Sequence, residues 1–299
     1  MDKVTLVEVG LRDGLQNEKT PLTAQQRAGW FNALVDAGVQ RLEAGSFVSP
    51  KWVPQMADTD VVMSSIRRPP GVTAEVLVPN EKGLEAALKT DAEVFAIFTA
   101  ASETFNQRNI NCSIEESIAR FRTVAARAKA DGRRVRGYVS CVVGCPYEGK
   151  VSPGQVARVV EALLDLGSDE ISLGDTIGVA RPREIHQLLD AVLPLLPASK
   201  LALHCHDTWG QAIANIMAGL QRDIRIFDSA VAGLGGCPYA KGATGNVATE
   251  DVLYLLEGEG FSTGIDLAAV ARVGEEICQA LGRSNPSRAG RALAARHAD

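Results

Sequence analysis

The sequence lacks several features that would assign the chain to a specialised class of protein. No apolar run approaches the roughly 20 residues that a membrane-spanning helix needs. Six cysteines in 299 residues do not make a disulfide framework, and the pair Cys141 and Cys145 is followed by no second pair that would suit a metal. No signal or transit peptide precedes the apolar segment that begins at Val4. We therefore expect free thiols and a cytoplasmic location.

An excess of positive charge is also lacking. The formal net charge is −5, which argues against a general nucleic-acid binder. The sequence contains no P-loop, no G-x-G-x-x-G after a strand and no Ser-His-Asp motif. We expect neither a nucleic acid nor a membrane as partner, and an anionic ligand would need a local positive patch.

Short apolar or β-branched runs recur along the chain, each followed by a longer amphipathic segment. There are eight, at residues 4–10, 41–47, 73–78, 93–100, 134–140, 170–175, 201–207 and 226–233. Near-continuous apolar strands that alternate with helices are typical of a parallel sheet covered by helices. Eight such units predict an α/β protein with a (β/α)8 TIM barrel, followed by an extra C-terminal helix over residues 265–281.

The chain is expected to form a single catalytic barrel domain over residues 1–282, because no linker rich in Pro, Gly or Ser divides it. Capping boxes, such as Thr23 with Gln26, mark helix starts after the strands. Residues 283–299 are basic and weakly apolar, which predicts a frayed, flexible tail.

Polar residues gather where the predicted strands end, which is where TIM barrels carry their chemistry. His204 and His206 are two residues apart on a strand, so their side chains project to one face, and Cys205 points the other way. Asp13 follows the first strand, and Asn246 ends a glycine-rich stretch after the eighth. Two imidazoles, a carboxylate and an amide oxygen suit Mg²⁺ or Mn²⁺ better than a Cys-rich zinc site, although ligand type leaves zinc open. The alternative for the histidines is a hydrogen-bonded structural pair.

Other charged residues lie beside this set. Arg12 adjoins Asp13, where a guanidinium can stabilise a developing oxyanion; the alternative is a surface salt bridge. Glu8 and Glu43 interrupt apolar strands, where an unpaired charge is costly, so we expect them to bind Arg12, the metal shell or the substrate. Strand parity leaves open which of the two faces the ligand. Asp175 belongs either to the site or to the cap of the next loop.

The glycine-rich stretch VAGLGGCPYAKGATGN (231–246) carries one cysteine, Cys237. A loop anchored at a metal ligand can fold over a bound substrate. A thiol near a cation can have a lowered pKa and take part in proton transfer. Cys237 is therefore a candidate catalytic residue, and the alternative is an inert thiol in a turn.

Several motifs resemble the 3-hydroxy-3-methylglutaryl-CoA lyase family of metal-dependent barrel lyases. They are GLRDGLQNE, SFVSPKWVPQMAD, SETFNQRNINCSIEES, LHCHDTWGQAIANI and GLGGCPYAKGATGN. The resemblance runs from the first strand to about residue 282. Claisen-type synthases of the same wider group usually have R-D-G-E-Q at strand one and lack the last motif. This chain has Leu15 in the fourth place, so both differences favour the lyase.

The resemblance implies a reaction and a set of roles. The reaction is cleavage of the C2–C3 bond of (S)-3-hydroxy-3-methylglutaryl-CoA to acetyl-CoA and acetoacetate, a late step of leucine degradation. It also implies a homodimer, and it leaves open which group is the base and whether Cys237 or His204 protonates the enolate. The implied metal ligands are Asp13, His204, His206 and Asn246; the substrate contacts are Arg12, Gln16, Glu43 and, for coenzyme A, Asn109; the catalytic residues are Cys237, Arg12, His204 and Glu43.

Three other functions compete with this one. The first is the same chemistry on a longer 3-hydroxyglutaryl-CoA, which the residues that face the methyl branch would decide. The second is a Claisen-type acyl-CoA synthase, which Leu15 disfavours. The third is a catalytically silent barrel that binds acyl-CoA, which would not need a metal set and a thiol together.

Overall fold

The computed structural model describes residues 2–236 and 245–296, and its centre is a closed barrel of eight parallel strands. The barrel strands are β1 (Thr5–Glu8), β2 (Arg41–Ser46), β3 (Thr73–Leu77), β4 (Val94–Ala100), β5 (Arg134–Ser140), β8 (Glu170–Asp175), β9 (Leu201–Cys205) and β10 (Ile226–Ser229). Two short strands, β6 (Gly144–Cys145) and β7 (Gly149–Lys150), form an antiparallel hairpin outside the barrel. All eight predicted barrel strands are confirmed.

The barrel closes because β1 pairs with both β2 and β10. Going round the barrel, the order is β1-β10-β9-β8-β5-β4-β3-β2. The strands are buried along nearly their whole length, since helices cover their outer side. This arrangement brings the carboxyl ends of all eight strands to one mouth of the barrel.

Helices follow the strands, as the alternating pattern predicts. They are α1 (Ala24–Asp36), α2 (Thr59–Ser65), α3 (Glu81–Ala87), α4 (Glu103–Ile110), α5 (Ile114–Ala130), α6 (Pro153–Asp165), α7 (Pro182–Val192), α8 (Ala212–Leu220), α9 (Thr249–Gly258), α10 (Leu267–Leu281) and α11 (Arg288–Arg296). The capping box of Thr23 and Gln26 is present at the start of α1. None of the helices described is long and apolar enough to span a membrane.

The C-terminal segment differs from the expected frayed tail. The predicted helix over 265–281 is present as α10, but residues 288–296 form a further helix, α11. Ser287 caps α11 by accepting a hydrogen bond from the Gly290 N–H (3.0 Å). The Asp251 carboxylate, on α9, accepts from Ser287 Oγ (2.8 Å) and from the Ala289 N–H (2.7 Å). The anchor of α11 therefore lies about 40 residues away in sequence, where local composition gives no sign of it.

Ion pairs fill the interior of the barrel below its mouth. Arg41 bonds Glu75 (2.7 Å) and Glu170 (2.9 Å), and Arg136 bonds Glu170 (2.6 Å). Arg136 and Glu75 are completely buried. Buried charges persist when each has a partner, so this network supplies a rigid polar floor for the mouth.

Candidate active site

A π-helical turn after β1 presents two neighbouring residues to the mouth of the barrel. It spans Gly10–Gly14, and the Gly14 N–H donates to the Val9 carbonyl (3.2 Å). Such turns occur frequently at functional sites. Because of this local geometry, both Arg12 and Asp13 line the same cavity although they are adjacent in sequence.

Three neighbouring side chains hold the Arg12 guanidinium on several sides. Its nitrogens lie 2.6 Å from Glu43 Oε2 and 2.7 Å from Asp13 Oδ1, and its Cζ lies 5.5 Å from the centre of the Tyr138 ring. The Tyr138 hydroxyl donates to the other Glu43 oxygen (3.1 Å). Burial lowers the pKa of Arg12, but the charges of Glu43 and Asp13 outweigh it, so the pKa is raised. Arg12 is thus a fixed cation at the mouth of the barrel.

Three of the predicted metal ligands converge beside Arg12. The His204 and His206 Nε2 atoms are 3.2 Å apart, which confirms that both side chains project to one face. His204 Nε2 is 4.0 Å from Asp13 Oδ2. One ligand atom from each of Asp13, His204 and His206 lies within 4.8 Å of the others. We call these three residues the metal set. A divalent cation fits it by geometry and by ligand type.

Asn246, the fourth predicted ligand, reaches the same place through a short insertion between two strands. The Val247 N–H donates to the Cys205 carbonyl, and the Ala230 N–H donates to the Val247 carbonyl (both 3.0 Å). This segment therefore extends the sheet between β9 and β10. The Asn246 amide donates to Asp13 Oδ2 (2.9 Å), so its side chain lies against the predicted metal set.

The protonation states of this set suit a cation. Burial raises the pKa of Asp13, but the charges of Arg12 and the two histidines outweigh it and lower the pKa to about 2. Burial and the neighbouring charge of His204 lower the pKa of His206 to about 4. At neutral pH, Asp13 is therefore a carboxylate and His206 a neutral imidazole, the forms that coordinate metal ions. The buried Nδ1 atom of His206 has no hydrogen-bond partner among the described residues.

His204 differs from His206 in its second ring nitrogen. His204 Nδ1 lies 3.2 Å from Oδ2 of Asp228, which is buried beneath it in β10. Burial lowers the pKa of His204, but the hydrogen bond and charge of Asp228 outweigh it, so the pKa is raised. The two ligands therefore have unequal surroundings.

The cavity above these groups has a volume of about 850 Å³. Gln16 and Asn109, the remaining predicted substrate contacts, both line it. Aromatic side chains form part of its wall, at Phe98, Phe105 and Phe121. Cys237 lies outside the described residues, so its predicted role stays a prediction.

Glu8 and Asp175 accept hydrogen bonds from backbone N–H groups rather than lining the cavity. Glu8 accepts from the Val231 N–H (2.9 Å) and from Thr249 Oγ1 (2.6 Å), and burial raises its pKa to about 7. Asp175 accepts the N–H groups of Val179 (3.1 Å) and Ala180, as the loop-cap alternative predicted. Of the two strand glutamates, Glu43 is therefore the one that faces Arg12.

A second layer of residues under the site was not predicted from the sequence. These are Tyr138, Arg136, Ser172 and Asp228. A signal was present, because Arg136 and Tyr138 lie two residues apart in β5, and a period of two places both side chains on one face. Which partner each one meets depends on the register of strands distant in sequence.

The HMGL-like family model matches residues 3–277 of the chain. The hydroxymethylglutaryl-CoA lyase of Pseudomonas mevalonii is 55% identical over 298 residues, which cover 100% of this chain and 99% of that one. A protein of Pseudomonas aeruginosa described as 3-hydroxy-3-isohexenylglutaryl-CoA/hydroxy-methylglutaryl-CoA lyase is 56% identical, with 98% of each chain covered.

Solved structures agree with these sequence relatives. The crystal structure of hydroxymethylglutaryl-CoA lyase from Pseudomonas aeruginosa matches with a TM-score of 0.97 at 56% identity, covering 99% of this chain and 98% of that chain. An HMG-CoA lyase from Acinetobacter baumannii, in complex with coenzyme A and 3-methylmalate, matches with a TM-score of 0.93 at 36% identity. That match covers 97% of this chain and 95% of the other. The likeness therefore extends over the barrel and the predicted site together.

Proposed function

Because the chain belongs to the HMGL-like family, we propose that it is a lyase that cleaves (S)-3-hydroxy-3-methylglutaryl-CoA to acetyl-CoA and acetoacetate with the help of a divalent cation. The observation that carries the proposal is the convergence of Asp13, His204 and His206 beside the fixed guanidinium of Arg12. A metal set next to a buried cation suits a reaction that develops negative charge on oxygen.

The donor set favours Mg²⁺ or Mn²⁺ as the cation. Asp13, His204, His206 and Asn246 would hold it, as a mixed set of oxygen and nitrogen ligands. The ionised Asp13 and the neutral His206 are ready to coordinate without loss of a proton. When bound, the cation supplies Lewis-acid polarisation of the substrate's oxygen atoms.

The remaining steps involve protons and the charge of an enolate. The hydroxyl on C3 loses its proton, the C2–C3 bond breaks, and C3 becomes the ketone carbon of acetoacetate. The electron pair of that bond passes to the thioester fragment as an enolate, which takes up one proton at C2 to become acetyl-CoA. Arg12 stabilises the enolate oxygen, and Glu43 and Tyr138 hold its guanidinium in place.

Cys237 is the candidate for returning the proton to the enolate, and His204 is the alternative in a site where its Nε2 does not coordinate the cation. Replacing Cys237 by Ala separates them. If Cys237 is the donor, the variant loses turnover but still binds the cation. If His204 is the donor, turnover persists in the Cys237 variant.

The substrate is proposed to enter as a coenzyme A thioester. The Acinetobacter baumannii relative was crystallised with coenzyme A and 3-methylmalate, and it shares the fold over nearly the whole chain. We propose that Gln16 contacts the acyl group and Asn109 the coenzyme A portion, since both line the cavity that contains Arg12 and the histidines.

The test is acetoacetate formation from purified protein and 3-hydroxy-3-methylglutaryl-CoA. We expect product with Mg²⁺ or Mn²⁺, no product with a chelator, and recovery when the cation is restored in excess. If the folded protein forms no product with Mg²⁺ and none with Mn²⁺, the proposed function is refuted.

A longer 3-hydroxyglutaryl-CoA is the second candidate substrate. The Pseudomonas aeruginosa relative at 56% identity is described as acting on the isohexenyl and the methyl compound. The aromatic wall of Phe98, Phe105 and Phe121 offers apolar surface for a longer branch. The ratio of kcat/KM for the two thioesters decides which one the site prefers.

Two further properties stay predictions. A homodimer is expected, and light scattering of the purified protein tests it. A cytoplasmic location is also expected; the relatives include proteins described as mitochondrial and one described as cytoplasmic.

A further inference from the structure

A buried carboxylate lies directly beneath one of the predicted metal ligands. Asp228 is 2% exposed as a residue, and its side chain lies in the interior of the barrel. Its Oδ1 atom accepts a hydrogen bond from Arg136 Nη2 (2.7 Å). Its Oδ2 atom accepts from Ser172 Oγ (2.8 Å) and lies 3.2 Å from His204 Nδ1.

The charge of Asp228 is secured by its surroundings. Two nitrogens of the completely buried Arg136 guanidinium lie 2.7 Å from its Oδ1 and 3.3 Å from its Oδ2, so Asp228 is the carboxylate partner of a buried cation. An ionised carboxylate only accepts hydrogen bonds. The His204 nitrogen that faces it must therefore be the one that donates.

The other His204 nitrogen faces the metal set. His204 Nε2 lies 3.2 Å from His206 Nε2 and 4.0 Å from Asp13 Oδ2. A metal ligand needs a lone pair at that atom. A proton held on Nδ1 leaves this lone pair available on Nε2.

We propose that Asp228, held by Arg136 and Ser172, is a positioning residue that fixes His204 in the tautomer with the proton on Nδ1. It acts through His204 and touches neither substrate nor cation. The inference rests on the proposed function for its effect on turnover, whereas the tautomer itself is a property of the protein without metal.

The same network connects the predicted metal ligands to Arg12, the guanidinium that is proposed to stabilise the enolate. The Arg136 guanidinium donates to Asp228 and also to the Tyr138 hydroxyl, which in turn donates to Glu43. Glu43 holds Arg12. Arg136 is thus the shared support of His204 on one side and of Arg12 on the other.

The decisive variant is Asp228→Asn. Arg136 donates to Oδ1 at 2.7 Å and to Oδ2 only at 3.3 Å, so the oxygen of the new amide should take the Oδ1 place and its NH2 group the place that faces His204. An NH2 group donates to His204 Nδ1 and forces the proton onto Nε2, which blocks coordination there. We expect Mn²⁺ affinity to fall about 10- to 100-fold, the usual cost of losing a partner of a ligating histidine.

Two readouts are needed, and the first requires no catalysis. Long-range proton–nitrogen NMR of protein labelled with ¹⁵N-histidine reports the tautomer in metal-free samples. Because the pKa of His204 is raised above that of ordinary imidazole, spectra are recorded from about pH 8 to about pH 10 and the tautomer is read where the ring carries one proton. A His204→Gln sample assigns the signal. The second readout is calorimetry of Mn²⁺ binding. Ser172→Ala is the matched control, because it removes one donor but keeps the carboxylate, and we expect the tautomer to stay.

The wild-type spectrum alone can overturn the proposal, so a variant that fails to fold does not protect it. A proton on Nε2 of His204 in the wild-type protein would refute the positioning role. So would an Asp228→Asn protein that keeps both the tautomer and the wild-type Mn²⁺ affinity. If the tautomer is as expected but no acetoacetate forms, the proposed function is wrong and the inference about Asp228 stands.

Discussion

At the scale of single residues, the site depends on charges that are held before any ligand arrives. Arg12 is 6% exposed and is fixed by Glu43, Asp13 and the face of the Tyr138 ring. A guanidinium oriented in advance stabilises an enolate without reorganising during the reaction. Arg12 lies beside the predicted metal ligands but is not one of them. We therefore expect Arg12 to stabilise the enolate and the predicted ligands to bind the cation.

Replacing Arg12 by Met tests this separation. We expect kcat to fall about 10²- to 10³-fold, because a preorganised charge is lost where negative charge develops. Mn²⁺ affinity should stay within about tenfold of wild type, since Asp13 keeps its bond to Asn246. Arg67→Met is the control, as Arg67 is exposed and its partners among the described residues, Asn32 and Asp36, lie outside the site. Equal activity in both variants would contradict the role given to Arg12.

At the scale of elements, buried carboxyl groups hold the turn that follows β10. The Glu250 carboxyl, in the first turn of α9, accepts from the Ala232 N–H (2.9 and 3.1 Å) and touches α10 at Gly274. Glu8 holds the neighbouring Val231 N–H. The first residues of the glycine-rich stretch are therefore hydrogen-bonded both to β1 and to α9.

The pKa of Glu250 predicts how stability changes with pH. Burial raises the pKa to about 8, and the charges of Glu8 and Asp251 add to that effect; Cys278 of α10 also lies near. The folded state binds the proton more tightly than the unfolded state, whose pKa is near 4.5, so this contribution to stability falls as pH rises from about 5 to about 8.

Replacing Glu250 by Gln removes this titration but keeps an acceptor for the Ala232 N–H. Urea unfolding between about pH 5 and about pH 9 should show a shallower decline in the free energy of unfolding for Glu250→Gln than for wild type. A residual slope from Glu8 is expected, because its pKa is raised as well. Glu257→Gln, an exposed change in the same helix, should follow wild type. Identical slopes in all three proteins would show that Glu250 does not titrate in this range.

The anchor of α11 is a second prediction at this scale. The Asp251 carboxylate accepts from Ser287 and from the Ala289 N–H at the start of α11, where a negative charge is stabilising. Asp251→Asn should speed amide hydrogen exchange over residues 288–296 by the equivalent of about 1 kcal/mol. Exchange in α7 should be unchanged, and Asp190→Asn, an exposed change there, should leave α11 unaffected. No difference in α11 would mean that its other contacts, such as the ion pair between Arg288 and Asp207, hold it.

At the scale of the whole molecule, the barrel was predictable because its pattern is local. Apolar runs alternate with amphipathic segments, and each run forms one strand. The convergence of Asp13, His204 and His206 was predictable too, since strand ends meet at one mouth. The supporting layer was not. The register shift between Glu43 and Gly45 in β2 decides how Glu43 meets its neighbours, and a one-residue shift in register would send a side chain to the other face.

Cation binding should therefore stabilise the molecule as a whole, because the predicted ligands Asp13 and His206 are about 190 residues apart in the chain. Asp13 follows β1, and His206 follows β9, so an unfolded chain does not offer the site. With Mn²⁺ at about 100 times its Kd, we expect Tm to rise by about 4 °C over the sample with chelator. His206→Ala should abolish the rise, and His186→Gln, on α7, should keep it. If Tm still rises in His206→Ala, the stabilising cation binds elsewhere, and the predicted ligands are not the cation site.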